Sequence, residues 1–289
     1  MNERMEWAQL LPDSCRAAVA VVDGAEEIRL AVGQPVTVRA AGTEQSFWPA
    51  LTQRDLEDML QRACRHSAYA YTDTLRQGYV TIAGGHRIGV CGFGVVRDGA
   101  VQTLRQPTSL VIRIARAVPG CAEPLLPELT DSTLLLGPPG AGKTTLLRDA
   151  VRLLSDRRRC RVGLADERGE LSAATGEGPG LPVGSRTDVL VAVPKAEAVM
   201  MLLRTMGPQW IALDEITAPA DLEALERAAY CGVKLLATAH GDGIADLHRR
   251  PLYRRLLDTG VFTRAAVLRP DKTYAVHLLD ASYTKEGTL

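Results

Sequence analysis

Gly137-Pro138-Pro139-Gly140-Ala141-Gly142-Lys143-Thr144 fits the spacing GxxxxGK[ST]. An apolar run precedes it, and Thr145-Leu146-Leu147-Arg148-Asp149 opens a helical pattern behind it. Such a loop implies phosphate chemistry. Its glycines let successive backbone N–H groups close on a nucleotide's phosphates, and the helix N-terminus adds positive dipole. The lysine bridges β- and γ-oxygens, and the threonine hydroxyl ligates Mg²⁺. Nucleotide contacts are therefore expected from Gly137 through Thr145, with Lys143 acting on the transferred group and Thr144 on the metal. ATP and Mg²⁺ are the cofactors implied.

Four further groups of residues have types suited to the same chemistry. "WIALDE", from Trp210, is four apolar residues ending in Asp214-Glu215. A strand of that kind delivers its carboxylates at its end, Asp214 for the metal and Glu215 to orient and deprotonate an attacking water. "LADERGEL" sets Asp166, Glu167 and Glu170 behind another apolar run. Asp166 and Glu167 fit a metal shell or a water-polarising pair, and equally fit the acidic preference of a helix start. His240 closes "LLATAH", where an imidazole reaches a γ-phosphate network or simply fills a core position. Arg105, Arg113 and Arg116 lie ahead of the loop, placed to lend cations from an adjacent domain or subunit or to serve as surface charge.

The elements that must position these residues are legible as periodicity. Short apolar runs begin at Thr133, Arg161, Asp188, Trp210, Val233 and Ala265, with helical patterns between most of them. That alternation predicts an α/β domain of the RecA-like phosphate-loop kind, with a mostly parallel central sheet and its ligands at the strand carboxyl ends. Ahead of it, Thr52–Ser67 reads as an amphipathic helix with a capping-box-like start at Thr52 and Asp55. Gly78–Gln102 reads as hairpins turning at Gly84-Gly85 and Asp98-Gly99. A smaller α+β domain is thus expected over 1–104 and the ATPase domain over 105–289, with the Pro-rich segment 115–130 as connector. The Gly/Pro-rich stretch Ala174–Arg186 is expected to be a mobile loop.

Composition bounds the function classes. With 289 residues, 46% of them apolar, and 34 basic against 34 acidic residues, the chain is globular and carries no net field to recruit nucleic acid or an anionic membrane. Only five of the basic residues are lysines. The six cysteines show neither CxxC nor ligand spacing, which favours reduced thiols. "MNERMEWAQLLPDS" is not a signal peptide pattern, and no apolar run approaches the ~20 residues that span a bilayer. A cytoplasmic protein is expected, held at any membrane through a partner.

Taken in order, "EEIRLAVGQPV", "SAYAYTDTLRQGYVTIAGGHRIGVCG", "IRIAR", "GPPGAGKTTLLRD", "DERGEL", "GSRTDVL", "LLRTMGPQWIALDEI" and "TAHG" resemble the stage III sporulation protein AA family. That family is similar to the traffic ATPases of type II and type IV secretion systems. The resemblance implies Lys143 and Thr144 as nucleotide and Mg²⁺ contacts, Asp166 and Glu167 as an acidic box, Asp214 and Glu215 as Walker B, and His240 as a histidine box. Gln209 and Thr217 depart from the family pattern, Thr217 in the turn behind Glu215. The implied function is an ATP-driven motor. It would form a homo-oligomer, a hexamer, and push a membrane-embedded channel or secretion component from the cytosolic face, on the mother-cell side of the forespore membrane. The alternatives are a nucleic-acid-directed ATPase of the same fold and a nucleotide-loaded scaffold that seldom hydrolyses. The first would need stacking aromatics, for which Tyr69, Tyr71 and Tyr79 are the candidates.

Overall fold

The computed structural model describes residues 6–64, 75–115, 117–174 and 178–279. The chain divides into two units, Met1–Arg116 with Thr175–Gly180, and Ala117–Ala174 with Leu181–Leu289. The boundary expected at 104/105 falls inside a strand, Ala100–Arg113, whose ladder holds the segment in the first unit.

In the first unit Ile28 and Leu30 alternate with Glu27 and Arg29, and Val36 and Val38 flank Thr37, so each run buries one face. Strands β1 (Ala25–Ala31), β2 (Val36–Ala40), β3 (Thr43–Phe47), β4 (Tyr79–Thr81), β5 (Arg87–Arg97) and β6 (Ala100–Arg113) form one sheet in the order β3-β2-β1-β6-β5-β4. Every pairing in it is antiparallel. The short helices α1 (Glu6–Leu10) and α2 (Asp13–Ala20) and the longer α3 (Gln53–Ala63) supply Trp7, Val19, Leu56 and Met59 to the core built on Ile28, Val38, Ile88 and Ile112. The capping box of α3 is as expected: Asp55 N–H donates to Thr52 Oγ1 at 3.2 Å and Thr52 N–H to Asp55 Oδ2 at 2.8 Å. Asp98 and Gly99 turn β5 into β6 at φ 50° and 75°.

The second unit is a seven-stranded sheet in the order β13-β12-β7-β11-β10-β8-β9. Its strands are β7 (Thr133–Gly137), β8 (Val162–Asp166), β9 (Thr187–Val191), β10 (Trp210–Leu213), β11 (Lys234–His240), β12 (Arg264–Leu268) and β13 (Tyr274–Leu278). All neighbours are parallel except β12 and β13. Successive residues face opposite cores, Leu134 and Leu136 one way and Leu135 the other. One face is covered by α4 (Lys143–Asp156) with Ala122, Leu125 and Leu129. The other is covered by α5 (Lys195–Thr205), α6 (Pro219–Tyr230), α7 (Ile244–Arg249) and α8 (Pro251–Asp258). Such two-sided cover is why the central strands read as unbroken apolar runs. The Pro-rich connector is thus part of this unit's core, fixed by Ala122 N–H donating to Asp149 Oδ2 at 2.8 Å.

The described part of the stretch expected to be mobile is pinned. Leu181 N–H donates to Ser172 O at 2.9 Å, Ser185 N–H to Asp156 Oδ1 at 2.8 Å, and Arg186 N–H to Ser155 Oγ at 2.7 Å. All six cysteines are free thiols: Cys15 and Cys64 buried, Cys121 and Cys160 half-buried, Cys91 and Cys231 exposed.

Candidate active site

The loop after β7 turns through Gly140 and Gly142 at φ 77° and 90°, left-handed conformations that any side chain would strain. A Cβ at either would meet nothing within 4 Å, so open space lies on that side of the backbone. Gly137 is needed for a different reason: a Cβ there would stand 3.0 Å from Leu268 Cβ and 3.4 Å from Ala141 Cβ. Among the described residues, the N–H groups of Gly140, Gly142, Lys143, Thr144 and Thr145 make no hydrogen bond, whereas Ala141 N–H closes onto Pro138 O at 3.3 Å. These are the donors a helix start leaves over, gathered on one short segment that an anion's oxygens match. Pro138 is half-buried and Pro139 exposed at the rim. The segment fits a nucleotide's phosphates.

Lys143 Nζ donates to Gly137 O at 2.7 Å and Pro138 O at 3.0 Å, which holds the ammonium over the loop with a third proton to give. Burial lowers its pKa, while the Glu215 and Asp214 carboxylates push it back up. Both acids from the end of β10 therefore lie close enough to act on Lys143 through their charge. Asp214 ties three elements together. Its Oδ1 accepts from Thr238 Oγ1 at 2.7 Å and Glu215 N–H at 3.0 Å, and its Oδ2 accepts from Thr144 Oγ1 at 3.4 Å. Parallel pairing of β10 with β11, Leu213 beside Ala237, brings Thr238 level with Asp214. Thr144 and Asp214 are thus an adjacent hydroxyl and carboxylate of the hard-oxygen kind that suits Mg²⁺. The Glu215 carboxylate is half-buried and makes no hydrogen bond or ion pair among the described residues.

The acidic segment after β8 is built differently. Asp166 is 2% exposed, its Oδ1 accepting from Leu171 N–H at 3.1 Å and its Oδ2 from Ser172 N–H at 2.8 Å and Ser172 Oγ at 2.6 Å. Arg148, on α4, donates to Leu171 O at 2.6 Å and Glu170 O at 2.7 Å, clamping the same turn from the other side. Glu167 instead meets Lys195, whose Nζ lies 3.4 Å from Oε2. His240 is half-buried at the end of β11, opposite Gly137 in the register, and its N–H donates to Tyr253 Oη at 3.2 Å.

The structure therefore gathers Lys143, Thr144, Asp214 and Glu215 in one unit, with His240 beside the loop's first glycine. Arg105 and Arg113 belong to the other unit. Arg105 is exposed opposite Phe93 on β5, and Arg113 Nε lies 3.9 Å from Glu27 Oε2. Arg116 lies outside the described residues, as do Tyr69 and Tyr71. Tyr79, the remaining stacking candidate, has the Arg87 guanidinium 3.7 Å from its ring centroid. Lys195 is the residue that motif reading missed. Its signal was the scarcity of lysine in a chain that elsewhere uses arginine.

A family model described as "Sporulation stage III, protein AA" matches residues 8–287. "Stage III sporulation protein AA" of Bacillus subtilis (strain 168) is 39% identical over 297 residues, covering 98% of this chain and 96% of that protein. Among solved structures, the pilus retraction motor PilT with bound ADP superposes with a TM-score of 0.64 at 18% identity, covering 94% of this chain and 84% of that one. The ATPase DotB of Legionella pneumophila superposes with a TM-score of 0.57, also at 18% identity, covering 90% and 78%. Both share the fold.

Proposed function

Because the chain belongs to the stage III sporulation protein AA family, we propose that it is an ATP-hydrolysing motor of the RecA-like phosphate-loop class. The observation that carries the reading is the convergence of Lys143, Thr144 and Asp214, with Glu215 close enough to bias the Lys143 ammonium. Backbone N–H groups of Gly140 and of Gly142 through Thr145 take the phosphate oxygens, and Lys143 offsets charge on the terminal phosphoryl group. Thr144 and Asp214 hold Mg²⁺, which when bound neutralises phosphate charge and orients the in-line displacement. Glu215, whose carboxylate has no competing partner among the described residues, positions the attacking water and takes its proton. His240, at the rim of the loop, reads the state of the terminal phosphate.

The mechanical part of the proposal is a homo-oligomeric ring, a hexamer, in which hydrolysis moves one unit relative to the other and so acts on a membrane-embedded channel component. No helix among the described residues is long and apolar enough to cross a membrane, so the contact with a bilayer component is assigned to a partner. The test is Mg²⁺-dependent phosphate release by wild type and by Glu215→Gln, alongside sedimentation with and without nucleotide. Glu215→Gln is expected to keep nucleotide affinity and lose about 10²–10³-fold in turnover. Lys143→Ala is expected to lose affinity as well. A wild-type chain that stays monomeric and releases no phosphate with any nucleotide overturns the reading. A rate stimulated by single strands and suppressed steeply by salt would transfer it to the nucleic-acid class.

A further inference from the structure

Lys195 opens α5 with only 11% of its side chain exposed. Its ammonium meets three oxygens from two strand ends: Glu215 O at 2.9 Å, Thr217 Oγ1 at 3.3 Å and Glu167 Oε2 at 3.4 Å. Three acceptors match the three protons of an ammonium, a compact point charge with three rotatable donors. That accounts for a lysine at this position in a chain where five of 34 basic residues are lysine.

The peptide groups around Glu215 show what the ammonium does. Glu215 N–H is held by Asp214 Oδ1 at 3.0 Å, Ile216 N–H by Thr238 O at 3.0 Å, and Thr217 N–H by Asp221 Oδ2 at 3.0 Å. On the carbonyl side of Glu215, the bond is the one from Lys195. With N–H and C=O both fixed, the direction in which the Glu215 side chain leaves the backbone is fixed too. The charge of Lys195 is in turn balanced by Glu167, which belongs to the segment that Arg148 and Asp166 clamp.

We propose that Lys195 is the positioning residue for Glu215, and that the Glu167–Lys195 pair ties the acidic segment after β8 to the turn that carries the hydrolytic carboxylate. This rests on the reading of Glu215 as the group that activates water. Lys195 acts through the Glu215 backbone and takes no proton itself. Its removal leaves phosphate contacts intact and lets the carboxylate wander.

Two measurements on the full chain decide the matter, one of which needs no turnover. In Lys195→Met, kcat is expected to fall at least about tenfold, the equivalent of a misaligned group, while KM stays within about twofold. Amide exchange in the peptide covering Glu215–Thr217 is expected to speed up about tenfold, with β7 and β11 unchanged. Glu167→Gln should move both readouts in the same direction, and the double variant should be no slower than Lys195→Met alone. The proposal is overturned if kcat and the 215–217 exchange rate are unchanged. It is overturned equally if KM rises in step with the fall in kcat, or if exchange quickens through all of β10, since either would make Lys195 a general support of the fold. A wild-type chain without turnover would sink the ATPase reading alone, because the exchange comparison would still decide for or against Lys195.

Discussion

Asp166 and Asp214 are both acids at the end of a buried strand, yet their oxygens are committed to different partners. Asp166 holds the backbone of Leu171 and Ser172 from a site 2% exposed, so its substitution strands buried donors. Asp166→Asn is expected to cost about 1–3 kcal/mol in denaturant unfolding. It should leave the Mg²⁺ concentration for half-maximal rate within about twofold, whereas Asp214→Asn should raise it more than about tenfold. A shift in Mg²⁺ requirement for Asp166→Asn would put Asp166 in the metal shell, as its place in the sequence led us to expect. His86 supplies a pH prediction. It is 4% exposed, Ala115 N–H donates to its Nδ1 at 3.1 Å, and burial lowers its pKa to about 4. The unfolded state, with the ordinary value near 6.5, binds the proton first. Stability is therefore fully present above that value and is lost as pH falls through the window down to about 4, by about 3 kcal/mol at most. Unfolding followed at pH 7 and pH 5 should show this slope in wild type and not in His86→Asn, whose amide oxygen can still accept from Ala115.

The element that joins chemistry to scaffold is α4, which starts at Lys143 and, in its last turn, sets Ser155 against Gly184 and Arg186. Gly184 has φ 95°, and a Cβ there would stand 2.4 Å from the buried Ser155 Cβ. Gly184→Ala is expected to destabilise the chain by about 2–4 kcal/mol in denaturant unfolding, and a loss under about 0.5 kcal/mol would mean the contact is not tight. The same region shows how far the sequence could be read. Strands β7, β8, β10, β11 and β12 of the second unit were legible because two-sided burial writes a continuous apolar run, and β9, only partly buried, because Val189-Leu190-Val191 is apolar without a break. The α3 start was legible because Thr52 and Asp55 sit at capping spacing. Strands β1 to β3 were not read, although Ile28 and Leu30 alternate with charged residues, because the signal lasts only a few residues. Strand β13 was hidden because His277 interrupts its short apolar run. The Gly137–Thr144 loop and Asp214-Glu215, which the structure brings together through Thr144 and Asp214, could be singled out from spacing alone. The Glu167–Lys195 contact joins residues 28 positions apart across two strand ends, and local spacing carries no trace of such a pair.

At the scale of the molecule, each unit has its own core, and nucleotide chemistry is assigned to the second. A ligand that binds only the folded second unit must stabilise it by mass action. An ATP analogue with Mg²⁺ at a hundredfold excess over its Kd should add about 2.7 kcal/mol, read as slower amide exchange in β7 and β11. No slowing in those strands at saturation would refute the assignment of the site. The thiols supply a way to watch the units themselves. Cys15 and Cys64 are shut inside the first core with raised pKa values, and burial with the Asp149 carboxylate pushes Cys121 up to about 11. Cys91 and Cys231 are open, one on β5 and the other just past α6. Once Cys160 is made serine, a donor and an acceptor dye placed on these two native thiols would report separation between the units through a catalytic cycle, with no label introduced into either interior.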